Sequence, residues 1–168
     1  ELSLEDVRVP AANLLGGEGA GFYGIMHNFQ KERLYLSIMA NTTAQLALEE
    51  SIRYARLREA FGKPLAGFQV TRHKLVDMAT LVEVSREFTY RVASKIQAGE
   101  NMVKEISMAK IFATDICDRV CHAAVQIHGG YGYMRECLVE RLYRDSRILS
   151  IGGGTSEIMK EIISKMIL

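Results

Sequence analysis

Gly152, Gly153 and Gly154 stand in a row between an apolar run and Thr155-Ser156-Glu157, in the stretch ILSIGGGTSEIMKE. A glycine-rich turn ahead of a helix offers unpaired backbone N–H groups and suits a phosphate or another anion. This one does not fit a nucleotide-phosphate loop, because no lysine follows the last glycine before Thr155, and it lacks the third glycine of a dinucleotide fingerprint. On its own it reads equally as an anion site or a plain turn. A second glycine cluster, QIHGGYGY from Gln126 to Tyr133, closes a helical run, and a C-cap alone would account for Gly129. QKERL, from Gln30 to Leu34, sets the carboxylate of Glu32 and the guanidinium of Arg33 mid-helix among apolar neighbours; in isolation a surface ion pair is the simpler account. RLREAFGKPL is a basic and aromatic stretch in which Arg58 could hold a phosphate or be solvated.

Metal chemistry has little support. Cys117, Cys121 and His122 could share a helical face, but their spacing fits no zinc pattern, and small buried thiols are the plainer reading. His27, His73 and His128 form no cluster. Three cysteines are too few and too odd for a disulfide scaffold and fit a reducing compartment. A net charge of +1 gives no electrostatic case for nucleic acid or an anionic membrane. Charge interrupts every long apolar run, so no segment is expected to span a bilayer. The sequence opens on Glu1 with no signal-peptide pattern and reads as a piece of a longer protein.

Long helices must carry these groups. The two prolines, Pro10 and Pro64, both fall outside the periodic segments. From Gly21 to Leu57, apolar residues from Phe22, Ile25, Met26 and Phe29 to Ala40, Ala44, Ala47 and Ile52 recur at three- and four-residue steps, the pattern of an amphipathic helix. FGKPLAGFQ breaks it with turn residues. A second helix is expected from Phe68 to Ala98, stopped by Gly99, and a third from an Asn101 N-cap to Gly129-Gly130. A shorter helix covers Glu136 to Arg147, and a last one starts at Thr155, which caps it. The fold class expected is all-α, an antiparallel four-helix bundle-like domain over residues 21–168 with a terminal helical hairpin. Residues 1–20 differ: Leu4, Val7 and Val9 alternate like a strand before Pro10 and a run of glycines, as in the tail of a preceding β domain and its linker.

Taken together and in order, these stretches resemble the acyl-CoA dehydrogenase family. EDVRVPAANLLGGEGAGF is similar to the end of that family's middle β domain; REAFGKPLAGFQ, QIHGGYGY and ERLYRDSRILSIGGGTSEIMKEII are similar to its helical C-terminal domain. The resemblance implies α,β-dehydrogenation of an acyl-CoA thioester, in which a carboxylate takes the α-proton and the β-hydrogen leaves as hydride to N5 of FAD. Such chemistry needs a hydrogen-bonded thioester carbonyl, a base in a dry pocket and a flavin held against the substrate.

Many members carry the base immediately before the Gly-Thr of the final loop, where this sequence has Gly153. The isovaleryl-CoA and long-chain members place it instead in a Glu-Arg pair on the first helix, which here is Glu32-Arg33. The resemblance therefore implies Glu32 as catalytic base, Arg33 orienting the base or meeting substrate, and the Gly153 N–H on the thioester carbonyl. It also implies FAD contacts from Arg58, Phe61 and Gln69, from Gln126, His128, Gly129 and Gly130, and from Thr155, Ser156 and Glu157. Part of this contact reaches a neighbouring subunit's flavin, so a homotetramer is implied, with an electron-transfer flavoprotein as acceptor, in bacterial cytoplasm or mitochondrial matrix. An acyl-CoA oxidase-like relative and a non-catalytic helical assembly domain are the competing readings.

Overall fold

The computed structural model describes residues 2–168. Uninterrupted by proline, residues Gly21–Leu57 form a 37-residue helix, α1. A short antiparallel hairpin follows, β1 (Glu59–Ala60) paired with β2 (Lys63–Pro64). Helix α2 (Gln69–Gln97) leads into α3 (Val103–His128) through a turn at Gly99, whose φ is +85°. That turn ties off α2 with two bonds, Gly99 N–H to the Ile96 carbonyl and Glu100 N–H to the Lys95 carbonyl, the pairing of a Schellman cap. The chain then makes a 3-10 turn over Gly129–Tyr133, α4 (Leu138–Ser146), a second 3-10 turn over Arg147–Ser150, the glycine loop, and α5 (Ser156–Ile167).

α2 returns antiparallel to α1, since Asn41 of α1 meets Ser85 and Thr89 while Leu34 packs near Val92 and Ile96. α3 reverses again and so runs parallel to α1. Arg33 and Lys110 both reach the glycine loop, and Tyr54 stacks on His128 at the other end. The α1–α3 seam is the core, and small residues build it: Ala40, Ala44 and Ala47 face Ala113, Cys117, Cys121 and Ala124, all wholly or nearly wholly buried. Side chains this short let two helix axes approach closely, which fixes the register of everything carried on them. Buried hydroxyls on the seam are satisfied within their own helices, Ser37 on the Arg33 carbonyl and Ser51 on the Ala47 carbonyl. α4 and α5 both lie against α3. The all-α antiparallel bundle expected from the sequence is the fold, and no helix among the described residues is long and apolar enough to cross a membrane.

Some local expectations are displaced. The N-cap position of α3 falls on Met102, one residue later than expected, and the Asn101 carboxamide oxygen still serves the helix start by accepting from the Val103 N–H at 3.4 Å. Residues 2–20 hold a single 3-10 turn, Ala11–Asn13, and no strand, because a strand needs a partner that this chain does not supply there. Leu4, Val7 and Val9 are exposed. So are Phe22 and Ile25, whose periodicity is helical but whose turns of α1 have no packed neighbour in the chain.

Candidate functional site

The glycine loop is held from beneath by two buried cations. Arg33, 2% exposed, donates from Nε to the Gly153 carbonyl at 3.0 Å, and its guanidinium lies 5.6 Å from the Phe29 ring centroid. Lys110, wholly buried on α3, donates from Nζ to the Gly154 carbonyl at 2.5 Å. Desolvation lowers the pKa of both, Lys110 to about 8, with Arg33 repelling it and Glu157 opposing the shift. Gly153 (φ +66°) and Gly154 (φ +106°) take conformations that L side chains rarely adopt. A side chain would also force a neighbour to shift, since a Cβ on Gly153 would sit 2.8 Å from Leu36 Cδ1 and one on Gly154 2.7 Å from Met159 Cε. Among the described residues, no acceptor meets the N–H groups of Gly153, Gly154 or Thr155, so the loop presents consecutive free donors.

Glu32 lies one residue before Arg33, about 100° around the helix, so the two side chains diverge. Its carboxylate is exposed and accepts from Asn28 Nδ2, one turn earlier, at 2.7 Å. The dry pocket expected around the base is therefore not built by this chain. Arg33, expected to orient the base or to meet substrate, is bonded to the loop carbonyl in this chain. Thr155 caps α5 as expected, accepting from the Ile158 N–H at 3.4 Å. The Glu157 carboxyl is held below its usual range by its own backbone N–H and then by the Thr155 hydroxyl. Ser156 is half-buried in the first turn.

A second cluster forms at the other end of α3. Arg58, at the end of α1, faces the 3-10 turn of residues 129–133 across a cleft of about 540 Å³ that Tyr54, His128, Gly129 and Gly130 also line. The Arg58 guanidinium lies 5.7 Å from the Tyr131 ring centroid and joins no ion pair among the described residues. His128 is 3% exposed and stacks on Tyr54 with ring centroids 4.1 Å apart. Its Nδ1 is 2.8 Å from the Ala124 carbonyl, which makes that nitrogen the N–H donor and leaves Nε2 a buried acceptor with no partner. Burial pushes its pKa down, so it stays neutral. Gln126 is exposed one turn before Gly130.

Phe61 and Gln69 lie near this end, Phe61 at the tip of the hairpin and Gln69 at the start of α2. Phe61 has φ +50° and is 97% exposed, an aromatic held outward in a conformation costing roughly 1–2 kcal/mol. With the following Gly62 at φ +79° it makes the two-residue turn that closes β1 onto β2. A ligand bearing phosphates and a flat ring, such as a flavin nucleotide, fits this set: a free guanidinium, an orphaned histidine acceptor, and two glycines at which an added Cβ would meet nothing within 4 Å.

The two clusters do not meet. Lys110 and His128 are eighteen residues apart on α3, about 27 Å at 1.5 Å per residue. Lys110 belongs to no motif, and its one signal in the sequence is a charge in register with Ile106, Ala113 and Cys117 on the buried stripe. Asn28, four residues before Glu32, and Gly132, where a Cβ would fall 2.6 Å from the Val125 carbonyl, likewise carry no signal in their residue type alone. Cys117 and Cys121 lie buried with sulfurs 4.0 Å apart, whereas His122 is exposed and turned toward Tyr143.

Residues 19–168 match the family model described as acyl-CoA dehydrogenase, C-terminal domain. Over its whole length the chain is 44% identical to the caffeyl-CoA reductase-Etf complex subunit CarC of Acetobacterium woodii, covering 44% of that protein. It is 42% identical, over 99% of its length and 39% of the relative's, to the mitochondrial long-chain specific acyl-CoA dehydrogenase of Sus scrofa. The crystal structure of a probable acyl-CoA dehydrogenase from Mycobacterium abscessus matches with a TM-score of 0.95 and 54% identity, over 99% of this chain and 44% of that one. The chain thus spans less than half the length of these relatives.

Proposed function

The chain belongs to the acyl-CoA dehydrogenase family, as its C-terminal domain, and from that premise we propose that the protein containing it oxidises an acyl-CoA thioester to the 2-enoyl-CoA. The observation that carries this reading is the 3.0 Å bond from Arg33 Nε to the Gly153 carbonyl. It ties the loop that offers free N–H donors to the same turn of α1 that carries Glu32. Base and polarising donor are thereby carried on two segments joined at one point, and a proton abstraction next to a thioester needs both held in place.

In this reading Glu32 takes the α-proton, with Asn28 fixing its carboxylate. The Gly153 N–H donates to the thioester oxygen and stabilises charge developing there. FAD, when bound, would supply the hydride acceptor for the β-hydrogen. Arg58, Phe61, Gln69, Gln126, His128, Gly129 and Gly130 would hold a flavin at one end of α3, and Thr155 to Glu157 would hold one at the other. Because these two sets lie at opposite ends of the α3 segment from Lys110 to His128, about 27 Å long, they are assigned to different flavins, which supports a homo-oligomer in which each chain completes a neighbour's site. Residues 1–20 are assigned to the end of a preceding β domain, consistent with the exposed alternation at Leu4, Val7 and Val9. That domain and its neighbours would cover Glu32.

The name of one relative places it in an Etf complex and calls it a reductase. This supports an electron-transfer flavoprotein as partner and ties the direction of reaction to the acceptor's potential. The test is anaerobic mixing of the full-length protein with butyryl-, isovaleryl- and palmitoyl-CoA. At least one should bleach the flavin, and turnover should then be faster with electron-transfer flavoprotein than with oxygen. Dominant peroxide formation would reassign the protein as an oxidase, and a full-length protein that never binds flavin would leave a scaffold.

A further inference from the structure

Lys110 takes no part in the chemistry just described, yet it is buried completely on α3 with its Nζ on the Gly154 carbonyl. A buried lysine is costly. With its pKa at about 8 against an ordinary 10.5, the folded state binds fewer protons, so this group opposes folding at neutral pH and the penalty is relieved only as pH rises from about 8 to 10.5. Arg33 beside it adds repulsion, and Glu157 offsets only part of it. A methionine or leucine would fill the same register without that penalty.

What the lysine does is visible in the peptide geometry. In a trans peptide the carbonyl and the following N–H point in opposite directions, and no peptide in the described residues is cis. Arg33 draws the Gly153 carbonyl inward and Lys110 draws the Gly154 carbonyl inward. The N–H groups of Gly154 and Thr155 are thereby turned outward, continuing the row of free donors that starts at Gly153. Two cations from two different helices fix two successive peptides, with Gly153 and Gly154 both at positive φ.

We propose that Lys110 is a positioning residue for the reaction, pinning the Gly154 carbonyl so that the backbone donors of the loop stay aimed at the thioester and its surroundings. The proposal rests on the reading of this loop as the thioester-facing element. Lys110→Met and Lys110→Ala in the full-length protein are the variants, since methionine keeps the volume and removes the buried charge. With the fold and flavin content retained, anaerobic flavin reduction by acyl-CoA should slow about 10–100-fold in Lys110→Met, below the loss on deleting an oxyanion donor outright, with a smaller change in KM. The infrared carbonyl stretch of the bound thioester should move back toward its value in water, and propylamine should restore part of the rate to Lys110→Ala.

Wild-type reduction and carbonyl frequency in Lys110→Met would overturn the proposal. So would a slow variant whose carbonyl frequency is unchanged and which amine does not rescue, since that is a packing defect. Glu32→Gln, run alongside, separates the two levels. If wild type reduces its flavin, Glu32→Gln does not, and Lys110→Met behaves as wild type, only the Lys110 role fails. If acyl-CoA never reduces the wild-type flavin, the functional reading itself fails.

Discussion

Glu32→Gln in the full-length protein should slow flavin reduction by an acyl-CoA about 10²–10⁴-fold, the usual contribution of a positioned general base, while flavin remains bound. The substitution is conservative in every respect but one. Glutamine keeps the shape, and its carbonyl oxygen can still accept from Asn28 Nδ2, as the carboxylate does at 2.7 Å. Arg33 keeps its bond to the Gly153 carbonyl, so the loop is undisturbed. What is lost is a group able to take a proton. Because the residues proposed to hold flavin lie elsewhere, the absorbance of bound flavin in the variant should match wild type. Reduction at near wild-type rate would remove Glu32 from the mechanism and return the Glu-Arg pair to the protein surface.

Moving the carboxylate back to the loop should not repair that loss. Gly153→Glu in a Glu32→Gln background places the side chain where many relatives of the resembled family carry their base, yet the backbone here is at φ +66° and the new Cβ falls 2.8 Å from Leu36 Cδ1. The left-handed angle costs roughly 1–2 kcal/mol for a non-glycine residue, and Leu36, packed against the core, must also move. Relaxation of the loop would pull at the Arg33 and Lys110 bonds that aim its donors. The double variant should therefore remain as slow as Glu32→Gln alone. Adding Leu36→Ala to open the space should recover some of the rate. Substantial reduction in the double variant without that third change would mean that the loop gives way more easily than its two anchors imply.

Much of the bundle is legible in the sequence because α1, α2 and α3 bury stripes at helical spacing and α2 and α3 stop at glycines: the expected bounds of α1 are those observed, and α2 differs by a residue at each end. Periodicity reports which face is apolar, not whether a partner is present. Phe22 and Ile25 keep the helical pattern and remain exposed, and Leu4, Val7 and Val9 alternate without forming a strand. The hairpin at residues 59–64 was hidden because its turn uses Phe61 at positive φ, where asparagine or glycine is the usual signal. At the site, Gly153 and Glu32 stand out by residue type and order. Lys110 does not, because a lysine is ordinarily read as solvated. Its register with the apolar residues at 106, 113 and 117 is the one signal, and the fold shows all three to be buried.

The separation of the two clusters along α3 has a genetic consequence. If each chain lends one end of α3 to its own site and the other to a neighbour's, defects at opposite ends are not equivalent within an assembly. A chain disabled at Glu32 still offers an intact Arg58 end, and a chain disabled at Arg58 still offers an intact Glu32. Co-assembled from two inactive parents, such chains would form some sites with no defect at all and some with both. Activity would then reappear in the mixture although neither parent has any, the signature of complementation between alleles of one gene.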